Sequence, residues 1–583
     1  MINKGYRYNT NRIMINKLSF RYLSLRLCFG LILIGNGFIT FAQTAENQID
    51  HDTVVLKVDL SSETGTMNPA WAWFGYDEPN YTYMKEGKKL LSEIAELSPV
   101  PVYVRTHNLL TTGDGTASLK WGSTNIYTED KNGNPVYDFT IIDKIFDTFI
   151  ERGMKPLVEL GFMPEALSVG PAPYRHSWPE TFSTGWAYPP KDYDKWAELV
   201  YQLTEHCMSR YGENEVESWY WEVWNEPNIN YWNGSMEEYF KMYDFASWAV
   251  KQACPDARIG GPHTTSPRDK NAAGWLKSFI DHCINGTNFK TGQKGSPLDY
   301  IGFHAKGSPK IVDGHVQMNI NLQLQDISKG FEIVSSFPEI SKLPVIIGES
   351  DPEGCAACSM TRTPSNSYRN GTVYSSYEAA VFARKYALAD HFKVNFKGAV
   401  TWAFEFEDQR WFDGFRDLAT NGVDKPVLNI FRMFGMMSGT RVAVSGGVYD
   451  PFMIRDSGVK ASAPDINALA AKDKNGVSIM VWNYHDDDLP AKASQIRLDI
   501  SGITSAKVLV NEYRIDKENS NSYEVWKSMG SPQNPTPEQY DTLVTAGALK
   551  MLTSPFPADT RNGFINLSLN LPRQGVSLFR LLY

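Results

Sequence analysis

Trp219-Tyr220-Trp221-Glu222-Val223-Trp224-Asn225-Glu226-Pro227-Asn228 is an aromatic and β-branched run that stops at an Asn-Glu pair in front of a proline. Such residues favour a pleated segment, and Pro227 cannot continue a hydrogen-bond ladder, so the chain turns where the acid sits. The run therefore reads as a buried strand with Glu226 at its C-terminal tip. A second apolar run, Leu343-Pro344-Val345-Ile346-Ile347-Gly348-Glu349, presents an acid in the same way.

Around these two runs the chain alternates short apolar stretches with longer amphipathic ones. Strands are expected at 71–76, 99–106, 155–160, 216–225, 257–261, 298–304, 343–349 and 396–404. Helical spacing marks 190–210, 235–253, 317–336 and 373–391, the last through Tyr374, Tyr377 and Val381. Eight strand and helix units over residues 52–440 predict an α/β fold, a (β/α)8 TIM barrel. In that barrel Glu226 follows the fourth strand and Glu349 the seventh, at the end where such barrels carry their active sites. Residues 441–583 change to strands that alternate in Val477–Val481, Ile496–Ile500 and Ile565–Leu569, which predicts a C-terminal antiparallel β-sandwich. The run Val54–Leu60, within 52–62, either opens the barrel or adds a strand to the sandwich.

Six bases, Lys4 to Arg26, precede an apolar run from Leu27 and a small-residue exit at Thr40-Phe41-Ala42. Residues 1–42 read as a secretory signal cut after Ala42, giving an exported chain, periplasmic or extracellular. The apolar part is too short for a spanning helix, so no membrane association is expected after cleavage. Removing the signal takes six bases and no acids, leaving 51 Lys and Arg against 66 Asp and Glu, a net charge of −15 in place of −9. That balance, with no basic stripe, excludes a nucleic-acid partner. Five cysteines remain. Cys355-Ala-Ala-Cys358 fits a small-loop disulfide, half a metal site or a redox motif; the first is preferred, because neither further clustered ligands nor a thioredoxin-like context is evident.

Two carboxylates at one barrel mouth suit glycoside cleavage, where one acid protonates the departing oxygen and the other, ionised, faces the anomeric carbon. Their alternative is a pair of ordinary rim acids. Trp224-Asn225-Glu226-Pro227-Asn228 and Gly348-Glu349 resemble the acid/base and nucleophile segments of clan A barrel glycosidases, and the ordered set resembles glycoside hydrolase family 39, the β-xylosidases and α-L-iduronidases. That set adds Tyr103-Val-Arg-Thr-His107, Asp299-Tyr-Ile-Gly-Phe-His304, Lys425-Pro-Val427, Tyr513-Arg-Ile-Asp516, Asn519-Ser-Asn521 and Gly530–Pro537.

The resemblance implies Glu226 as acid/base, Glu349 as nucleophile and Asn225 on the substrate 2-hydroxyl. It puts Arg105, His107 and His304 around nucleophile and sugar, each with a structural ion pair or core histidine as the plain alternative. A cation beside Glu349 should keep it ionised, and a less polar surrounding should keep Glu226 protonated. Trp402 is either a sugar-stacking floor or barrel packing. Lys306 and Arg416, with Asp351 nearby, look iduronidase-like and are expected either to clamp a uronide carboxylate or to be solvated loop charges. The loop Glu353–Thr372 departs from both patterns and should form one wall. The implied activity is a retaining exo-glycosidase on an oligosaccharide or glycoside, needing no cofactor or metal. The lean is to a neutral, xylose-like sugar, with an iduronidase-like uronosidase as the alternative. A glycan-binding protein on a retired barrel is the rival of another class, and a metal-dependent hydrolase lacks His-Glu-x-x-His spacing.

Overall fold

Two prolines, Pro99 and Pro101, delay the second strand of the barrel: it runs Tyr103–Thr106 and does not start at residue 99. The computed structural model describes residues 53–175 and 183–583, so the expected signal at 1–42 lies outside the described residues. Barrel strands follow in chain order as Trp73–Tyr76, Tyr103–Thr106, Lys155–Leu160, Tyr220–Val223, Arg258–Thr264, Tyr300–Lys306 and Pro344–Asp351, each parallel to the next. The eighth comes in two pieces: Asn395–Ala399 pairs with the seventh strand, and Thr401–Trp402 pairs with the first, which closes the ring.

The fourth strand is shorter than the aromatic run suggested. Gly212 at φ 90° ends one helix, and Glu213–Glu217 forms another short helix, so the extended segment begins only at Tyr220. It ends at Val223 because Trp224 and Glu226 take φ of 72° and 45°, outside the pleated range.

Val54–Thr66 lies in the second sheet and not in the barrel. It pairs antiparallel with Thr440–Ser445 and parallel with Ser494–Ser501, so the expected antiparallel sheet is a mixed one. Its other members, among them Asp465–Asp473, Gly476–Tyr484, Lys507–Ile515, Phe564–Leu571 and Val576–Leu582, run antiparallel to their neighbours. Helices also occur in this half: Ser522–Ser528 and Pro537–Gly547 form a hairpin, the second opened by a capping box from Thr536 to Gln539. Trp526 and Leu543 pack there on Phe412 and Val423 of the barrel side.

Helix Thr372–Phe392 is buried on nearly every face, because it lies between barrel and sheet. Arg384 donates to Asp465 at 2.6 Å and stacks over Trp482, and Ser376 bonds Gln574 at 2.6 Å. Among the described residues no helix is long and apolar enough to cross a membrane.

Candidate active site

Glu226 is set by the turn that follows the fourth strand. Non-glycine residues at positive φ are unfavourable and need support. Here Trp224 Nε1 donates to the Tyr231 carbonyl at 2.9 Å, and the Glu226 amide donates to the His263 carbonyl at 3.0 Å. Glu349, by contrast, stands inside the strand Pro344–Asp351, at a bulge where the pairing with the sixth strand shifts register between Ile347 and Glu349. The glycine before it is a steric requirement, since a Cβ on Gly348 would lie 2.0 Å from His263 Nδ1.

The two carboxylates converge. A carboxylate oxygen of Glu226, one of Glu349 and a ring nitrogen of His304 all lie within 4.8 Å of one another. His304 Nδ1 sits 2.9 Å from Glu226 and 3.7 Å from Glu349. Their surroundings differ sharply. Glu349 faces Lys306 Nζ at 2.6 Å, Arg105 Nη1 at 3.2 Å and His107 Nε2 at 3.4 Å. Burial alone would push its carboxyl up, but Lys306, His304 and His107 outweigh burial and hold it well below the carboxylate range.

Behind Glu349 the charges are interlocked. Arg105, fully buried, donates to Glu222 at 2.7 Å, to Glu159 at 3.2 Å and to Asn225 Oδ1 at 3.0 Å. Burial opposes charge on His107, yet Glu159 and Asp77, the latter at 2.6 Å, raise it to about 9. Burial likewise works against Glu222, but Arg105 and then His263 hold it down to about 2.

A cavity of about 290 Å³ opens over this cluster. It is at the small end of ligand sites, which run from roughly 300 Å³ upward, and matches a single sugar ring better than a long cleft. Glu226, Glu349, Asn225, His107 and Lys306 line it. Arg105, His304 and Asp351 are wholly buried behind that lining.

Trp402 takes its barrel-packing alternative, and Arg416 takes neither of its two. Trp402 is 1% exposed and packs under the guanidinium of Arg105 and the ring of His107, so it supports the cations and offers no open sugar platform. Arg416 is also sealed. Its guanidinium reaches the Glu353 carboxylate at 2.6 Å and the Trp402 carbonyl at 2.7 Å, which removes it as a clamp for substrate. Lys306 does line the cavity, but Glu349 and Asp351, the latter at 3.1 Å, already occupy its ammonium.

The sequence reading missed Asp77, Lys120, Ile229, Tyr231 and Thr265 in the lining. Asp77 directly follows the first barrel strand, so the rule that singled out Glu226 would have found it. Lys120, ion-paired with Asp77, arrives on a long loop with no local signal. The loop after the seventh strand does form a wall, through Gly354 and Cys355, and Cys355 is joined to Cys358 in a disulfide. Cys207, Cys254 and Cys283 are free and buried. Among the described residues only Glu226, His304 and Glu349 are grouped closely enough to hold a metal ion, and a divalent ion there would stand beside Lys306 and Arg105, an electrostatic arrangement that opposes it.

Against known proteins, the model of glycosyl hydrolases family 39 matches residues 54–563. A beta-xylosidase of Caldicellulosiruptor saccharolyticus is 29% identical over 426 residues, 71% of this chain and 77% of that one. An alpha-L-iduronidase of Mus musculus is 25% identical over 474 residues, 75% and 67% of the two chains. Among solved structures, a monomeric beta-xylosidase from Caulobacter crescentus CB15 superposes with a TM-score of 0.70 at 22% identity, covering 91% of this chain and 99% of its own; that likeness concerns the fold.

Proposed function

Because the chain belongs to the glycosyl hydrolases of family 39 and is a glycoside hydrolase, we propose that it removes neutral, xylose-like sugars with retention of anomeric configuration, by double displacement between Glu226 and Glu349. The observation that carries this reading is the pair of carboxylates within 4.8 Å, only one of which is ringed by cations. Retaining enzymes hold the two groups roughly 5 to 5.5 Å apart, whereas inverting ones leave roughly 6.5 to 9.5 Å for a water.

In the first step the Glu349 carboxylate attacks the anomeric carbon, the bond to the leaving oxygen breaks, and Glu226 gives that oxygen its proton. Water then attacks the glycosyl ester and returns a proton to Glu226. Arg105, held by Glu222 and Glu159, fixes Glu349 and Asn225 together, so Asn225 meets the 2-hydroxyl in register with the nucleophile.

The sugar is read as neutral because both lysines of the cavity are committed, Lys306 to Glu349 and Asp351, Lys120 to Asp77. A uronide carboxylate would have to break one of these pairs. The iduronidase relatives keep that second reading open to the same experiment. Aryl β-D-xyloside, α-L-iduronide, α-L-arabinoside and β-D-glucuronide are compared side by side, and the first-formed product is followed by NMR. The expected result is turnover of a neutral glycoside with retained configuration; preference for a uronide overturns the substrate class, and an inverted product overturns the nucleophile. Glycan binding with hydrolysis unaffected by Glu349→Ala would favour the non-catalytic reading. We also infer export with cleavage after Ala42, which accords with a disulfide formed in an oxidising compartment; N-terminal sequencing of the exported protein tests it.

A further inference from the structure

We propose that Ile229 and Thr265, next to Glu226, together with the disulfide-closed segment at Cys355 that follows the seventh strand, line an apolar leaving-group subsite of the cavity, built for a neutral group that presents an apolar face. The inference rests on the glycosidase reading above and adds what that reading leaves blank, the chemistry of the departing half of the substrate.

A single exposed isoleucine is ordinary on a protein surface. Ile229, 41% exposed, is set apart by its place: it lines the same cavity as both glutamates, one turn beyond the proton donor, with its amide bonded to the Glu226 carbonyl at 3.2 Å. The leaving oxygen departs beside the group that protonates it, so it departs past Ile229. The turn that carries it is held in place. Asn228 donates to Thr265 Oγ1 at 2.7 Å and accepts from the Thr265 amide at 2.9 Å, while Asn271 donates to the Asn228 carbonyl at 2.6 Å.

The facing wall is equally fixed. Arg369, wholly buried, donates to the carbonyls of Cys355 at 3.1 Å and Cys358 at 3.0 Å and to that of Ala356 at 3.3 Å, and Arg416 donates to the Gly354 carbonyl at 3.0 Å. Glu353 bridges both arginines, and Asp351 lies 3.6 Å from Arg416. Two cations that never reach the cavity therefore shape its wall, and the disulfide closes the loop between them. What they hold toward the site is Gly354 and Cys355, without charge.

The charged groups of the cavity are already partnered or come from other elements. Asp77, His107 and Lys120 come from the first two barrel strands and the loop after them, and Lys306 is spent on Glu349. Ile229, Thr265, Gly354 and Cys355 add apolar or uncharged surface to the lining. Such a surface gains from burying an aryl ring or the ring face of a neutral sugar and rejects an anionic group, which would lose its water without a partner.

The test compares three substrates that share one glycone: the 4-nitrophenyl glycoside, the corresponding disaccharide and the glycosyl fluoride, whose leaving group is too small to fill the subsite. Ile229→Asp, at a half-exposed position, is set beside Ile229→Leu and the double variant Cys355→Ser/Cys358→Ser, with melting curves to verify folding. The expected result is a fall of ~10-fold or more in the ratio of kcat/KM for the large leaving groups to that for fluoride in Ile229→Asp, retained by Ile229→Leu. Loss confined to the aryl glycoside identifies an aryl alcohol as the group served; loss shared by the disaccharide identifies a sugar. An unchanged ratio in Ile229→Asp, or a fall on fluoride as large as on the others, overturns the subsite. A parent protein that turns over none of the three, fluoride included, refutes the glycosidase reading instead.

Discussion

The two sides of the barrel mouth carry the same residue type in opposite settings. On the fourth-strand side Glu226 sits in a turn at φ 45°, is 13% exposed at its side chain and touches His304. On the seventh-strand side Glu349 lies within a strand, at a bulge, and meets Lys306, Arg105, His107 and His304. One glutamate is ringed by cations and the other meets His304 alone among these groups, and in the proposed mechanism that difference, more than the presence of two acids, divides the labour between attack and protonation.

The comparison breaks most visibly on the Glu349 side. Glu349→Ala is expected to lower kcat on the order of 10⁴-fold or more for every substrate, measured with aryl glycosides, because no group remains to form the covalent bond. Glu226→Ala should depend on the leaving group instead. A poor leaving group needs the proton and loses on the order of 10²- to 10⁴-fold, whereas a 4-nitrophenyl group leaves nearly unaided, so the loss in the first step is much smaller. Equal losses on both would erase the proposed asymmetry.

Lys306→Met sharpens the account through pH. Glu349 is held below the ordinary carboxylate range and is needed ionised, so removing its principal cation should move the acidic limb of kcat/KM to higher pH. The same depression stabilises the fold above the unfolded carboxylate pKa and is lost as pH falls through the folded one; the variant should show less of that acid-side dependence in thermal melts. An unshifted acidic limb would assign Lys306 to substrate and not to Glu349. His107 works with the opposite sign. Its pKa is raised from 6.5 to about 9, so its stabilising charge is full below 6.5 and is lost as pH rises through about 9; His107→Gln should flatten the alkaline decline in stability. The smallest effect is expected at the wall, where opening the Cys355–Cys358 loop should lower stability by at most about 2 kcal/mol, because so short a loop restrains little unfolded chain.

Much of this was legible in residues that speak locally. The strand tips at Glu226 and Glu349 follow from apolar runs broken by Pro227 or preceded by Gly348, and the barrel from their repetition. The helical hairpin Ser522–Gly547 was hidden because its signals, a capping box and Pro537, sit in a stretch otherwise rich in turn residues. The partners of Lys306 and Arg416 stayed hidden for a different reason. A cation's sequence position says where it starts, but which carboxylate meets it is decided by loops distant in the chain, here Asp351 and Glu353. The parallel entry of Val54–Thr66 into the second sheet is likewise a long-range pairing that no alternation pattern can specify.

The assignment of attack to Glu349 can be read directly by trapping. A 2-deoxy-2-fluoro glycoside with a good leaving group slows both steps by withdrawing electrons from the anomeric centre, but the activated group still departs, so the covalent species accumulates. Peptide mapping by mass spectrometry should then find the sugar mass on Glu349 alone. A label on Glu226 or another residue, or none despite inactivation of normal turnover, would contradict the account.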